Sequence, residues 1–265
     1  MASRAEPPAG LALPTAPSLG GAVRAAAGDA YYHSWRLLPA NVVWAAAAIL
    51  VLATILVAPL GLLLIPLLAL PTAGIFRVTT RIARGASVSF WDAVDAWRTD
   101  VPSTLAIGIA VAGATAVLGA NVVTGLASGS PLGWGLATLA GWGLVALWLL
   151  AWTAWPILLD PDRADRPVSA RLRLAALLVL AHPLRVGALA LALALFLAAS
   201  TVAVVALGTI SVAFAALVAS RYVLPAADRL EARISAAAAA TAASATAAPA
   251  STPALGDEPL ESPAR

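Results

Sequence analysis

Arg36-Leu37-Leu38-Pro39-Ala40-Asn41-Val42-Val43-Trp44 opens a run of forty residues without a charge, closed by Gly74-Ile75-Phe76-Arg77. Two further windows have the same character. Asp100 to Asp160 encloses fifty-nine uncharged residues, and Arg185 to Arg221 encloses thirty-five. A charge at the centre of a bilayer costs roughly 2.5–3.5 kcal/mol on insertion scales. Long apolar stretches bounded by arginine therefore read as membrane spans.

The first window sets the count. As one helix it would run roughly 60 Å, twice the thickness of a hydrocarbon core. It has to fold back, and Pro59 and Gly61 stand near its middle, where a break costs least. Spans are expected at 39–58 and 61–80, with Pro66 and Pro71 kinking or interrupting the second. Ser128-Gly129-Ser130-Pro131 divides the second window into 102–126 and 132–157. Gly208 divides the third into 185–206 and 209–225.

With six crossings, the arginines from Arg24 to Arg233 fall on one side. The three loops near Pro59, Ser130 and Gly208 carry no charge. By the positive-inside rule the arginine side is the cytoplasm, and both termini are cytoplasmic.

Composition agrees. The chain is 61% hydrophobic and 11% charged, with a mean hydropathy of +0.90. A pI near 10.2 raises nucleic acid as a partner. However, the basic residues are all arginine and flank apolar spans, so no nucleic-acid partner is expected. Zero cysteine excludes disulfides, thiolate metal sites and a cysteine nucleophile. The lack of Lys and Gln beside abundant Ala and Arg points to a GC-rich bacterial genome. Residues 1–18 are rich in Pro and Ala and are read as a disordered tail without a secretory leader. Residues 236–265 are a low-complexity Ala/Ser/Pro tail, and 19–235 the membrane domain.

Amphipathic segments at 22–38, 89–98 and 169–182 precede three of the spans. The clearest is the second: Phe90, Val94, Trp97 and Val101 share one face, with Asp92 and Asp95 on another. Ser89 reads as its N-cap, with Asp92 placed to favour the helix dipole. Such helices lie flat at the interface. The layout reads either as three repeats of interfacial helix plus hairpin or as a chance likeness.

Trp35-Arg36-Leu37-Leu38-Pro39-Ala40-Asn41-Val42-Val43-Trp44, Pro71-Thr72-Ala73-Gly74 with Arg84-Gly85, and Phe90-Trp91-Asp92-Ala93 carry a family likeness. So do Pro156 ahead of Asp160 and the segment from Arg171 to Arg185. Over residues 20–230 the chain resembles the YesL-like bacterial membrane proteins, a domain of unknown function. The extra apolar run from Pro59 to Leu70 departs from that pattern. The resemblance implies a link to carbohydrate uptake, beside whose genes such proteins often occur. It transfers no catalytic or binding residue.

Few residues offer chemistry. No ionisable group lies deep in a span, which argues against proton coupling and voltage sensing. Trp148, Trp152 and Trp155, at i, i+4 and i+7, form either an aromatic wall for a sugar or lipid or a packing belt. Asn121, near the outer end of its span, is the candidate interhelical polar contact. The loop from Asp160 to Asp165 reads as a solvated turn paired with Arg163 and Arg166, with weak divalent-cation binding as the alternative. His33 and His182 read as interfacial packing residues. No metal or other cofactor is expected.

The expected fold is all-α: a polytopic transmembrane bundle of about six spans with interfacial helices on the cytoplasmic face. The expected setting is a bacterial cytoplasmic membrane. The expected role is a non-enzymatic accessory component, partnered by the lipid bilayer and a membrane transporter complex. An uncoupled small-solute permease is the alternative, and a membrane enzyme stands third.

Overall fold

The computed structural model describes residues 18–99, 101–203 and 207–247. Most of both tails, at 1–17 and 248–265, lies outside the described residues. The chain is all-α, with no strand among them. Five helices are long and apolar enough to cross a membrane: Ser34–Val57, Pro59–Ala83, Val101–Ala127, Pro131–Leu158 and Pro183–Val202.

Helix α1 spans Leu19–Tyr32 and α2 Ser34–Val57, separated by His33 alone. α4 (Trp91–Thr99) ends two positions before α5 (Val101–Ala127) begins. α7 (Val168–Ala181) is separated from α8 (Pro183–Val202) by His182. A short helix thus runs into a long apolar one three times. The first junction differs from the expected 22–38, because residues from Ser34 onward already belong to the long helix. Pro39 sits inside α2 and gives up only one early helix bond there.

Each long helix is followed by a return. The first begins as a tight 3-10 helix, Pro59–Leu68, and relaxes into α3, Ala69–Ala83. Ten residues are long for this conformation. Pro59, Pro66 and Pro71 remove backbone donors that a regular α-helix would use. The hairpin is also tight: a Cβ on Gly61 would stand 2.5 Å from the Ile55 nitrogen, so only glycine fits. The second return is α6, Pro131–Leu158, N-capped by Ser130, whose Oγ accepts from the Gly133 N–H at 3.1 Å.

The third return is built differently from the other two. It begins as a π-turn, Leu207–Ser211, and continues as α9, Val212–Ala247. Gly208 was expected in a surface loop opposite the arginines. Its carbonyl instead accepts from Asn41 Nδ2 at 2.9 Å. Asn41 is seven residues into α2, roughly 10 Å along it, so the turn meets the first third of that helix rather than its far end. The sixth segment is thus not among the five long apolar helices.

The returns form the core. α3 buries ten residues from Ala69 to Ile82, including Ile75, Phe76 and Val78. α9 is buried almost continuously from Ser211 to Leu224. The apolar windows of α5 and α6 are only 6% and 11% buried, leaving Ile109, Val117, Leu132, Leu139 and Trp142 exposed. Such faces suit a hydrocarbon surrounding. The chain divides into two units, Met1–Arg229 and Leu230–Arg265. In the second, residues 232–242 are exposed, Ala-rich helix.

Candidate functional site

The three returns converge on one charged knot. Arg84 follows the last residue of α3, Asp160 lies just beyond α6, and Asp228 lies on α9. Arg84 Nε and Nη2 donate to the two oxygens of Asp160 at 3.0 and 2.6 Å. Its Nη1 and Nη2 donate to Asp228 at 2.7 and 3.0 Å. Arg163 Nη1 also donates to Asp160, and its Nη2 to Asp228 at 2.6 Å. Two arginines therefore bridge two carboxylates in a closed ring. Asp162 adds an ion pair to Arg84 at 3.1 Å.

The ring is largely withdrawn from solvent: the Asp160 and Arg163 side chains are 0% and 3% exposed. Charges that deep persist only when paired and hydrogen-bonded. Burial pushes the Asp228 carboxyl up, but hydrogen bonds from Arg84 and Arg163 outweigh it and hold the group below its usual value. Burial likewise pulls Arg84 down, and the two carboxylates more than reverse this. Arg84 is thereby locked as a cation.

Neighbouring bonds tie the same end together. Thr80 Oγ1 donates to the Leu159 carbonyl at 3.0 Å, and Thr79 and Ser220 hydroxyls meet at 3.2 Å. Arg221 donates to Asp29 at 2.5 Å and to the Ala83 carbonyl at 3.3 Å, bringing α1 in. The loop from Asp160 to Asp165 is thus solvated only in part: Asp160 pairs with Arg163 as expected, but both are buried, while Asp162 and Asp165 stay exposed. Among the described residues, no group of three His, Cys, Asp or Glu is arranged to hold a metal.

A second polar cluster lies where the third return breaks. Asn41 is fully buried. Its Nδ2 satisfies the Gly208 carbonyl, and its Oδ1 accepts from the Ala213 N–H at 2.8 Å. One amide closes both backbone groups left open where the π-turn becomes α9. Nearby, Trp44 Nε1 donates to Thr72 Oγ1 at 3.0 Å.

Asn121, the expected polar contact, is exposed on α5 and makes no side-chain hydrogen bond among the described residues. Asn41 takes that role. It also lies in an expected span, and its place two residues after Pro39 was the available signal. Trp148, Trp152 and Trp155 are brought together around Phe76. Trp152 meets it edge-on at 6.0 Å and Trp155 stacks on it at 6.1 Å. Trp148 packs edge-on to Trp152 at 5.4 Å and donates to the Ala190 carbonyl at 3.2 Å. The set joins α6 to α3 and α8. His33 Nδ1 pairs with Arg36 at 3.0 Å, and His182 forms the α7–α8 joint.

Arg84 and Asp228 were missed as site residues. Asp228 was detectable as the first acid after the last uncharged window, two turns beyond Arg221. Comparison with family models, curated proteins and solved structures returned no match to this chain.

Proposed function

We propose that this protein is a non-enzymatic accessory component of a bacterial cytoplasmic-membrane system, with its arginine-rich end and both termini in the cytoplasm. The observation that carries the reading is the Arg84–Asp160–Arg163–Asp228 ring. It fastens the ends of all three returns together, and its charges are engaged with one another. Such a ring gives a stiff platform at one membrane face on which another membrane protein can seat. The resemblance to YesL-like proteins supports carbohydrate uptake as the system served, an associational argument only.

The test is affinity purification of the full chain in mild detergent, with mass-spectrometric identification of what comes with it. A transporter subunit recovered in stoichiometric amount, and lost with Asp160→Asn, is the expected result. A chain that purifies alone from its native membrane, with the ring intact, would overturn the reading.

A second reading is an uncoupled small-solute permease. It is favoured by the broken helix at Leu207–Ser211, clamped by Asn41 inside the bundle. Many carriers bind substrate where a spanning helix is interrupted. In reconstituted vesicles such a permease would move solute without response to imposed proton or sodium gradients, since the uncharged windows hold no titrating group. Uptake driven by either gradient and abolished by the matching ionophore would rule out the uncoupled form.

A further inference from the structure

Arg229 directly follows Asp228 on α9 and is 9% exposed. Its Nε and Nη2 are buried and donate to no acceptor among the described residues. Those two N–H groups form the side-on edge of a guanidinium, the edge with which Arg84 grips Asp160. It fits two oxygens of one carboxylate or phosphate. A guanidinium cannot shed its proton, so a buried one needs a counter-charge.

The nearest acid along the helix does not supply it. Asp228 receives Arg84 on both oxygens and Arg163 on one, and Asp160 is held by the same two arginines. Arg171 adds another cation at this end. Its Nη1 donates to the Leu158 carbonyl, two residues before Asp160, while its Nε is buried without a partner among the described residues. Arg84, Arg163, Arg171 and Arg229 therefore outnumber Asp160, Asp162 and Asp228 by one charge. Tyr222, seven residues before Arg229 and on the same helical face, lies in the field of Arg185 at the start of α8. That side of α9 thus turns toward further positive charge.

We propose that the free edge of Arg229 holds a phosphate-type oxyanion, supplied by the headgroup of an anionic phospholipid. The donor set selects the oxyanion. The lipid is selected by position, because the site stands at the charged end of apolar spanning helices, where basic sites between spans take up acidic headgroups. The small exposed fraction of Arg229 is where the headgroup meets the protein. The site is independent of any accessory role: its loss leaves partner recovery unaffected, and loss of the partner leaves lipid binding unaffected.

The test uses the full chain, delipidated in neutral detergent, with its thermal midpoint followed on adding phosphatidylglycerol, phosphatidylcholine or inorganic phosphate. Phosphatidylglycerol at about a hundredfold over its dissociation constant should raise the wild-type midpoint by about 5–10 °C. Phosphatidylcholine should do little. Arg229→Met and Arg229→Gln should lose the difference, and Arg173→Gln, at an exposed position, should keep it. Native mass spectra of the wild type should retain phosphatidylglycerol in preference to phosphatidylcholine. A rise with inorganic phosphate that is lost in Arg229→Met, with nothing added by phosphatidylglycerol, would keep the oxyanion site and assign it a soluble occupant. Equal shifts in wild type and Arg229→Met, or none from either anion, would overturn the proposal. If neither variant folds, wild-type spectra without preference for phosphatidylglycerol, together with no wild-type midpoint rise from either anion, would overturn it.

Discussion

Asn41 shows what one side chain can decide inside an apolar bundle. Its amide closes a carbonyl and an N–H that lie 167 and 172 residues away in sequence. Removing it strands both without water to replace them. Asn41→Leu should destabilise the fold by about 2–4 kcal/mol, read by thermal unfolding in detergent, while Asn121→Leu at its exposed position should change little. A destabilisation equal in the two variants would show that the clamp is not what matters. The ring makes a sharper case. Asp160→Asn removes the carboxylate that Arg163 and Arg84 share, and leaving a buried cation short of its partner should cost about 3 kcal/mol. The ring also sets a pH dependence. Asp228 is held below its unfolded value, so its stabilising contribution is complete above about pH 4 and disappears as pH falls through the folded value. The thermal midpoint should decline in that acid window. In Asp228→Asn it should start lower and decline less; an equal decline would assign the acid sensitivity to other carboxylates.

Among elements, α4 was the most legible. Ser89 and Asp92 cap it as their spacing implied: the Ser89 N–H donates to Asp92 Oδ2 at 2.7 Å, and Ser89 Oγ accepts from the Trp91 N–H at 3.3 Å. Phe90, Val94 and Trp97 are half-buried on the expected face. Asp92 departs from its expected place in water. It turns to Arg81 and is mostly shielded, because a cation at the end of α3 lies within reach. The residues that seat α4 are smaller than its aromatics. Ala93 and Ala96 are each 1% exposed, and a Cβ on Gly74 would lie 2.8 Å from Trp97 Nε1 and 3.2 Å from the Ala93 carbonyl. Gly74→Leu should therefore push α4 off α3 and speed tryptic cleavage between Arg81 and Arg98. Gly113→Ala, where a Cβ meets nothing within 4 Å, should not. Unchanged cleavage in Gly74→Leu would mean the two helices separate without consequence.

At the scale of the molecule, three long apolar helices run out from one end and three returns bring the chain back to it. The proposed orientation puts that end in the cytoplasm. Reporter fusions after residue 130 should then read as external, and fusions after 86, 165 and 235 as cytoplasmic. A cytoplasmic signal at 130 would invert the α5–α6 hairpin and with it the orientation. Six crossings followed from the uncharged windows, their lengths and their Pro, Gly and Ser breaks, yet the turn of the third hairpin meets α2 within its first third. Its turn stops against Asn41 and Ala45, where a Cβ on Gly208 would stand 3.8 Å from the Ala45 Cβ. Hydropathy registers that a segment is apolar; it does not register how deep a turn goes once a side chain from another helix satisfies its open backbone.

The sequence by itself determined the all-α class, the long apolar helices, their breaks at Pro59 and Ser130, and the short helices leading into them. These depend on local quantities: the cost of charge in hydrocarbon, the missing donor of proline, and a capping hydroxyl or carboxylate two or three residues from its partner. Only the tertiary structure decided that Arg84, Asp160, Arg163 and Asp228 form one ring, that Asn41 rather than Asn121 is the buried amide, and that Trp152 and Trp155 pack on Phe76 with Trp148 against Trp152. In a water-soluble helix the apolar stripe marks the packed face. Here the lipid-facing and packed faces are both apolar, so periodicity does not distinguish them. Partners such as Arg84 and Asp228, 144 residues apart, are then chosen by how the helices seat against one another.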